Sequence, residues 1–474
     1  MSSSNNNVGY LLLTKAFYIL ISIFIFELVL DFNGRLLIIG GIPIRMIIFG
    51  AVVILLAAMI VHAIIDSKIT LMDSKCPQFI LQSFNKFDYL LALFIGLNSI
   101  WVFVIPYFSG YGIVMALKQT LSMSILLLYF PIIILIRQNY IRWKSNQRII
   151  VPALLVLAGL HIFLYIGETY RQDATFAISF FESMMKWAEG YSARPTVMYP
   201  MNYFKIIYPN SIFLIAVLYY SISNPINIKT VTFHLIGLTA LLTTLSKSLW
   251  FGAIGGMLLI GGYYLILNKN LSLRKKHYRK VAAYLLITVI STLVLDHFAF
   301  NNYVIARLNS SFQIQHGVQH VVSKNIDTSD RQARFADELA GTERSNLTRA
   351  IQTKELLNKW RQSPWFGFGF GSYADKYLRS SAESPYAYEM LLPSMLVQVG
   401  AVGALVWLLF LFYIIFFVGY LFNTHNKNAF PALYLLVALG IATQFNPFLF
   451  SSSGMSLVLF SLIDIRHKQI AIIK

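Results

Sequence analysis

The sequence contains little cysteine and few charged residues. Its one cysteine, Cys76, excludes an intramolecular disulfide and argues against a metal site held by thiolates. Only 12% of the 474 residues are charged, and the 20 acidic residues are outnumbered by 38 Lys and Arg. Hydrophobic residues make up 57% of the chain, and the mean hydropathy is +0.64. This composition excludes a soluble domain and predicts an all-α polytopic membrane protein.

Apolar runs long enough to cross about 30 Å of hydrocarbon recur from one end of the chain to the other. We predict about twelve transmembrane helices from them. The runs lie near residues 9–30, 46–65, 87–107, 113–136, 149–167, 206–222, 231–245, 249–267, 281–298, 390–421, 429–442 and 448–465. Whether the last two runs form one helix or two is undecided, since Asn446-Pro447 and the serines at 451–453 either break one helix or join two.

Basic residues concentrate in two short connections, 137–148 and 269–280, which fall on the same side of this map. Because cytoplasmic loops carry the excess of Lys and Arg, we expect that side and both termini to be cytoplasmic. The formal net charge of +18 then reflects this asymmetry and contact with anionic lipid, so nucleic acid is not needed as a partner. The first apolar run has no basic segment or small-residue cleavage site around it, so we expect a retained helix.

Two long loops separate three groups of helices on this map. We expect N-terminal helices over 1–167, a periplasmic loop over 168–205, central helices over 206–298, a second periplasmic loop over 299–389 and C-terminal helices over 390–474. Because lipid-facing helices are kept apolar by solvation alone, the polar loops are where function is to be sought.

The second loop carries the densest set of distinctive residues. Arg349 precedes a segment over 350–361 that is expected to form a helix at the membrane surface, ending at Ser363-Pro364. One side of this helix is expected to consist of Ile351, Leu356, Leu357 and Trp360. Gly367, Gly369 and Gly371 then alternate with aromatic residues. Such a segment either makes tight turns for packing or brings backbone amides close to an anion.

The order of Arg349, a helix, Pro364, the three glycines and then Gly400-Ala401-Val402-Gly403 resembles the signature region of the O-antigen polymerase and O-antigen ligase superfamily. Two upstream segments are similar to weaker motifs of that family. They are Tyr208-Pro209-Asn210-Ser211 and Leu245-Ser246-Lys247-Ser248-Leu249-Trp250, where lysine replaces the family's arginine. The resemblance covers about the C-terminal two-thirds of the chain.

The chain departs from the family's ligases at one position. Their histidine–asparagine pair, placed before the glycine equivalent to Gly400, falls on Glu389 and Met390. The resemblance therefore favours a polymerase, with Glu389 in the position of the base that activates the acceptor sugar.

The resemblance implies a membrane glycosyltransferase of the lipid-linked-sugar-using (GT-C-like) kind, in the bacterial inner membrane with its active site facing the periplasm. Its donor and acceptor would be undecaprenyl-diphosphate-linked oligosaccharides, which it would join without a metal or another cofactor. Membrane lipid and a chain-length-regulating co-polymerase are the other implied partners. The alternatives are a ligase that transfers polymer to lipid A core and, from another class, a lipid-linked oligosaccharide flippase.

Negative charge grows on the departing diphosphate in this reaction, so cationic side chains are the first candidates for the site. We predict Arg349 and Glu389 as catalytic residues. Residues predicted to bind substrate are Arg194, Lys247, Lys118, Arg344, Glu383 and Tyr388. Each cation has a simpler alternative role, which is to bind lipid headgroups or to pair with Asp173, Glu182 or Glu189. Glu383 competes with Glu389 for the role of base.

Overall fold

The computed structural model describes residues 5–30, 38–39, 42–67, 75–171, 209–267, 271–300, 302–309, 347–374, 385–425 and 429–473. Within these ranges the chain is almost entirely helical. The strands β1 (Ile38–Ile39) and β2 (Ile42–Pro43) form a small antiparallel hairpin before the second helix. Apart from this hairpin, the predicted all-α architecture is confirmed for the described residues.

The helices follow one another with short connections wherever the connection is described. The first half contains α1 (Asn5–Leu30), α2 (Ile44–Asp66), α3 (Lys75–Leu81), α4 (Lys86–Ser99), α5 (Ile105–Phe108), α6 (Ile113–Thr120), α7 (Tyr129–Arg137) and α8 (Trp143–Arg171). A π-helical segment, Ile100–Val104, joins α4 to α5, and a 3₁₀ segment, Leu121–Leu128, joins α6 to α7.

A short 3₁₀ segment, Pro209–Phe213, opens the second half of the chain. The helices there are α9 (Leu214–Ser223), α10 (Ile228–Thr243), α11 (Lys247–Leu267), α12 (Leu271–Phe298), α13 (Tyr303–Asn309), α14 (347–360), α15 (Leu391–His425), α16 (Phe430–Thr443) and α17 (Ser452–Ile473). The last pair of apolar runs is thus two helices, with residues 444–451 between them.

Eight helices of the described residues are long and apolar enough to cross a membrane. Three shorter apolar helices accompany them, Asn210–Ser223, Ile228–Thr243 and Phe430–Thr443. The chain is therefore a multi-pass membrane protein. The count of twelve crossings stays a prediction.

We call residues 363–374 the glycine turn. Side-chain contacts define the end of the helical bundle at which it lies, which we call the glycine-turn end. Arg45 at the start of α2 pairs with Glu27 near the end of α1, at 2.6 Å, and donates to the Ser452 hydroxyl at the start of α17. The ring of Phe450, just before α17, contacts the ring of Phe370, with centroids 5.6 Å apart. Residues 363–374 therefore lie at the end of the bundle where α1 ends and where α2 and α17 begin.

A buried ion pair between Arg466 and Asp88 lies toward the opposite end of the bundle, which we call the basic end. Arg466 of α17 lies 2.8 Å from Asp88 of α4, and both side chains are fully buried. The Tyr129 hydroxyl donates to the same carboxylate at 2.6 Å, and the Asn85 side chain caps α4. A buried charge is tolerated only when it is paired and hydrogen-bonded, so this network fixes the packing of α4 against α17.

Helix α14 packs differently from the sequence prediction. Leu356 is buried, whereas Ile351 is 41% exposed and its neighbour Gln352 is fully buried. The prediction that Ile351 and Leu356 share one side of α14 is wrong, because Leu356 is buried against the protein and Ile351 is not. The inward face of α14 consists of residues four apart, Gln352, Leu356 and Trp360. Because Gln352 is polar, a hydrophobic pattern alone does not identify this face.

Candidate active site

The segment 363–374 fits into a break in helix α15. Gly400 has φ 65°, which interrupts the helix and leaves backbone groups on both sides of the break without helical partners. The amides of Phe368 and Gly369 donate to the carbonyls of Val397 and Gln398, each at 2.8 Å. In return, the amides of Ala401 and Val402 donate to the carbonyls of Pro364 and Trp365, each at 2.9 Å. The turn thus replaces the hydrogen bonds that the helix loses.

The amides of Gly367, Phe370 and Gly371 are also bonded to the protein. Phe370 donates to the carbonyl of Trp101 at 2.8 Å, Gly371 to the side-chain oxygen of Gln119 at 2.6 Å, and Gly367 to the carbonyl of Ser363 at 3.0 Å. An amide that already donates is not available to an anion. This geometry supports the packing interpretation of the glycines and not a phosphate cradle.

Close packing explains why glycine occupies these positions. Gly367, Gly369 and Gly371 all have φ between 66° and 85°, where side chains are disfavoured. A Cβ on Gly367 would lie 2.6 Å from the carbonyl oxygen of Gln398, and one on Gly371 would lie 2.5 Å from the amide of Ala116. One on Gly369 would overlap the ring of Pro106. The turn can therefore approach α5, α6 and α15 only because these three positions have no side chain.

Arg349 and Glu389 meet beside this turn. The Arg349 Nε donates to Oε2 of Glu389 at 2.8 Å, and the two side chains are 29% and 23% exposed. Arg349 comes from the first turn of α14, and Glu389 comes from the residues just before α15. Two residues predicted from the sequence to act together are thus in direct contact, where water and a ligand can reach both.

Tyr388 positions Glu389 through the backbone. Its hydroxyl accepts the amide proton of Ala374 at 2.8 Å, and its ring is buried with Leu356 and Val397. This contact ties the residue next to Glu389 to the end of the glycine turn. The role of Tyr388 in binding substrate stays a prediction, and its buried ring and engaged hydroxyl support a positioning role as the alternative.

Tyr386 lies near the same pair and is half-buried. Burial raises the pKa of its hydroxyl above the ordinary value, so the hydroxyl stays protonated at neutral pH and can donate a hydrogen bond.

Lys247 belongs to a second polar cluster at the glycine-turn end. It is half-buried between Ser246 and Ser248, whose hydroxyls lie 3.0 Å apart. Asn446, in the connection from α16 to α17, donates to the Ser248 hydroxyl at 2.5 Å. The chain enters α11 through Leu245 at φ 45°, a conformation that non-glycine residues adopt rarely and mostly where the surroundings impose it.

Lys118 and its neighbour have different environments. Lys118 is exposed, whereas Gln119 is buried and joins the glycine turn to α15 by accepting from Gly371 and donating to the Gln398 side chain at 3.1 Å. The sequence placed this pair near the site, but it gave no signal that the amide would make the contact. Lys118 remains a prediction as a substrate ligand.

Three predicted site residues, Arg194, Arg344 and Glu383, lie outside the described residues. The competition between Glu383 and Glu389 for the role of base therefore rests on the sequence and on the contact that Glu389 makes with Arg349.

Comparison with known proteins identifies the region that contains this site. Residues 232–408 match a family model described as O-antigen ligase. The matched segment runs from α10 into α15 and includes Lys247, Arg349, the glycine turn, Glu389 and Gly400. A search of curated proteins finds no match. The match covers less than half of the chain and supports the resemblance to the O-antigen polymerase and ligase superfamily, without deciding between the two activities.

Proposed function

We propose that this protein is a polymerase that joins undecaprenyl-diphosphate-linked oligosaccharide repeats into a surface polysaccharide. The observation that carries the proposal is the contact between Arg349 and Glu389 at 2.8 Å, beside the turn that fits into the broken helix. The family match supports the substrate class, because the superfamily acts on lipid-linked sugars in a membrane.

The reaction breaks the bond between the anomeric carbon of the donor sugar and the diphosphate oxygen, and forms a bond from that carbon to the acceptor hydroxyl oxygen. Glu389 takes the hydroxyl proton, and undecaprenyl diphosphate leaves with the bonding electrons. Attack from the face opposite the leaving group inverts the anomeric centre.

Arg349 supplies the charge that the leaving group requires. Its guanidinium binds Glu389 through Nε, so a diphosphate that approaches the other edge is bound by the two Nη groups in the bidentate geometry that arginine favours. One arginine then holds the leaving group and also fixes the base in position. No metal is needed in this mechanism, because the guanidinium stabilises the developing charge.

Lys247, Arg194 and Arg344 are proposed to bind the second lipid diphosphate and the glycan, since a polymerase must hold two lipid-linked substrates at once. Lys247 has the best structural support, being half-buried among hydroxyl groups at the same end of the bundle. We propose that this end faces the periplasm, where the donor and acceptor meet, and that both termini are cytoplasmic. The basic connection 137–148 lies at the other end, where Trp143 donates to Asp464 of α17.

The second candidate function is O-antigen ligase, because this is the description of the family model that matches residues 232–408. A ligase would use the same donor but transfer finished polymer to lipid A core. Glu389 favours the polymerase, since the ligases that the chain resembles keep a histidine at this position.

The glycolipids of a deletion strain test the proposal. Loss of a polymerase leaves single repeats on lipid A core. Unmodified core with polymer on undecaprenyl diphosphate would instead identify a ligase, and precursor retained on the cytoplasmic side would identify a flippase. Either of these results would overturn the polymerase assignment.

A further inference from the structure

A cavity of about 870 Å³ lies inside the helical bundle, away from Arg349 and Glu389. Its wall is formed by α1, the segment from Ile125 to Ile132, and helices α8, α9 and α17. Most of the lining is aliphatic or aromatic, including Phe24, Leu28, Leu154 and Phe460. It extends along α17 from Ser456 to Lys468, about 18 Å at 1.5 Å per residue.

The two ends of this cavity differ. Above Leu28 and Ser456, the pairing of Arg45 with Glu27 and its hydrogen bond to Ser452 link α2 to the ends of α1 and α17. At the basic end, the lining residues Ser223, Asn224 and Lys468 are all partly exposed. An elongated molecule would therefore enter from the basic end with its polar part near Lys468.

Among the described lining residues, Asp464 is the one acidic side chain, and both of its carboxylate oxygens accept hydrogen bonds. Trp143 donates to one carboxylate oxygen at 3.2 Å, and the Tyr219 hydroxyl donates to the other at 3.1 Å. The Lys280 amine donates to the carbonyl of Ile222, next to Ser223, so a second ammonium group lies close to the same end. Lys468 and Lys280 thus supply two positive charges at this end against the one negative charge of Asp464, which favours an anion there.

An apolar cavity of this size within a bilayer does not hold water well, because water needs polar partners to enter. Apolar chains fill it without that cost. A substrate lipid does not fit this orientation, since its diphosphate must reach Arg349 at the opposite end while its chain lies in the membrane.

We infer that the cavity binds one anionic phospholipid, with an acyl chain between α1 and α17 and its phosphate at Lys468. The length of about 18 Å is a little more than half of the roughly 30 Å hydrocarbon core, which is the span of one leaflet's acyl chains. The lipid would come from the leaflet that faces the basic end of the bundle.

Lipid retention by the purified full chain tests this inference. The protein is delipidated in detergent and titrated with phosphatidylglycerol and, separately, phosphatidylcholine, and bound lipid is measured by native mass spectrometry. Ala216→Trp fills the cavity, and Ala57→Trp is the matched control on the exposed face of α2. Lys468→Gln removes the cation, and Lys276→Gln is its control at an exposed position of the same end.

We expect wild-type protein and both controls to hold one phosphatidylglycerol. Lys468→Gln should weaken phosphatidylglycerol binding about fivefold and leave phosphatidylcholine unchanged, and Ala216→Trp should lose retention of either lipid. Equal binding of phosphatidylglycerol by Lys468→Gln and wild type would overturn the headgroup site. Full retention of lipid by Ala216→Trp would overturn the assignment of the lipid to the cavity. If Ala216→Trp does not fold, the Lys468→Gln titration decides alone. Neither result depends on whether the protein is a polymerase.

Discussion

At the residue scale, the contact between Arg349 and Glu389 is informative about function although it contributes little to stability. A partly exposed ion pair contributes about 0 to 1 kcal/mol to stability, because water competes for both charges. At 29% and 23% exposure the pair is in this class, so holding the fold together does not explain its place beside the turn. We therefore propose that the pair is placed there to bind a ligand.

Glu389→Gln should reduce turnover by about 10² to 10⁴, because it keeps the shape of the side chain and removes the base. The melting temperature should change little, since the ion pair contributes little, and Glu389→Asp should keep partial activity. Polymer formation and thermal unfolding are measured on the same purified variant, with Glu355→Gln on α14 as the matched control. Near-normal turnover together with a lowered melting point would remove Glu389 from catalysis and favour Glu383.

The sequence could identify Arg349 and Glu389 because both belong to a motif with a fixed order along the chain. It could not identify Gln119, which acts only through contacts with Gly371 and with Gln398 in α15. A lone glutamine in an apolar helix has no pattern that shows which backbone amide it will meet. The sequence therefore indicates only Lys118, its charged neighbour, whose role as a substrate ligand stays a prediction.

At the element scale, the glycine turn and the broken helix α15 form one unit. The turn supplies hydrogen bonds to both sides of the break at Gly400, so neither part is satisfied without the other. Alternating glycines predicted a tight turn, but the interruption of an apolar run by Gly400 could not be read from hydropathy. The interruption of α15 at Gly400 depends on its packing against the glycine turn.

Gly369→Ala should destabilise this unit by about 1 to 3 kcal/mol, because φ 85° is strained for alanine and the added methyl overlaps Pro106. Thermal unfolding in detergent should show a melting temperature several degrees lower. Gly159→Ala in α8 is the control, since nothing lies within 4 Å of the position a Cβ would take there. Equal melting temperatures for the two variants would contradict the packing account.

At the scale of the whole molecule, buried charges join helices that are distant in sequence. Arg466→Met should cost about 3 to 5 kcal/mol, because Asp88 is left charged and unpaired in the interior. The double variant Asp88→Leu/Arg466→Met should recover much of this loss, and thermal unfolding of the three proteins measures it. A double variant no more stable than Arg466→Met would refute the ion-pair explanation.

Orientation in the membrane is also a property of the whole chain. With Cys76→Ala as background, Ser380→Cys should react with a membrane-impermeant thiol reagent in intact spheroplasts, and Ser272→Cys should not. This follows from the basic residues around position 272, which predict a cytoplasmic location. Labelling at 272 would invert the orientation and move the proposed active site to the cytoplasm.

The membrane class and the positions of most helices could be predicted because hydrophobic solvation acts on composition alone. The pairing of Asp88 with Arg466 could not, since charges in apolar runs give no indication of their partners. Short helices such as α9 and α16 show the same limit, because length alone does not decide whether they cross the bilayer.

Turnover by purified protein tests the central claim most directly. Wild type, Arg349→Ala, Arg349→Lys and the control Arg361→Ala, an exposed arginine just after α14, are incubated with undecaprenyl-diphosphate-linked repeat and the product lengths are resolved. Removing charge stabilisation worth about 3 to 4 kcal/mol should abolish polymer in Arg349→Ala, lysine should rescue it only in part, and Arg361→Ala should polymerise normally. Polymer of normal length from Arg349→Ala would contradict the account.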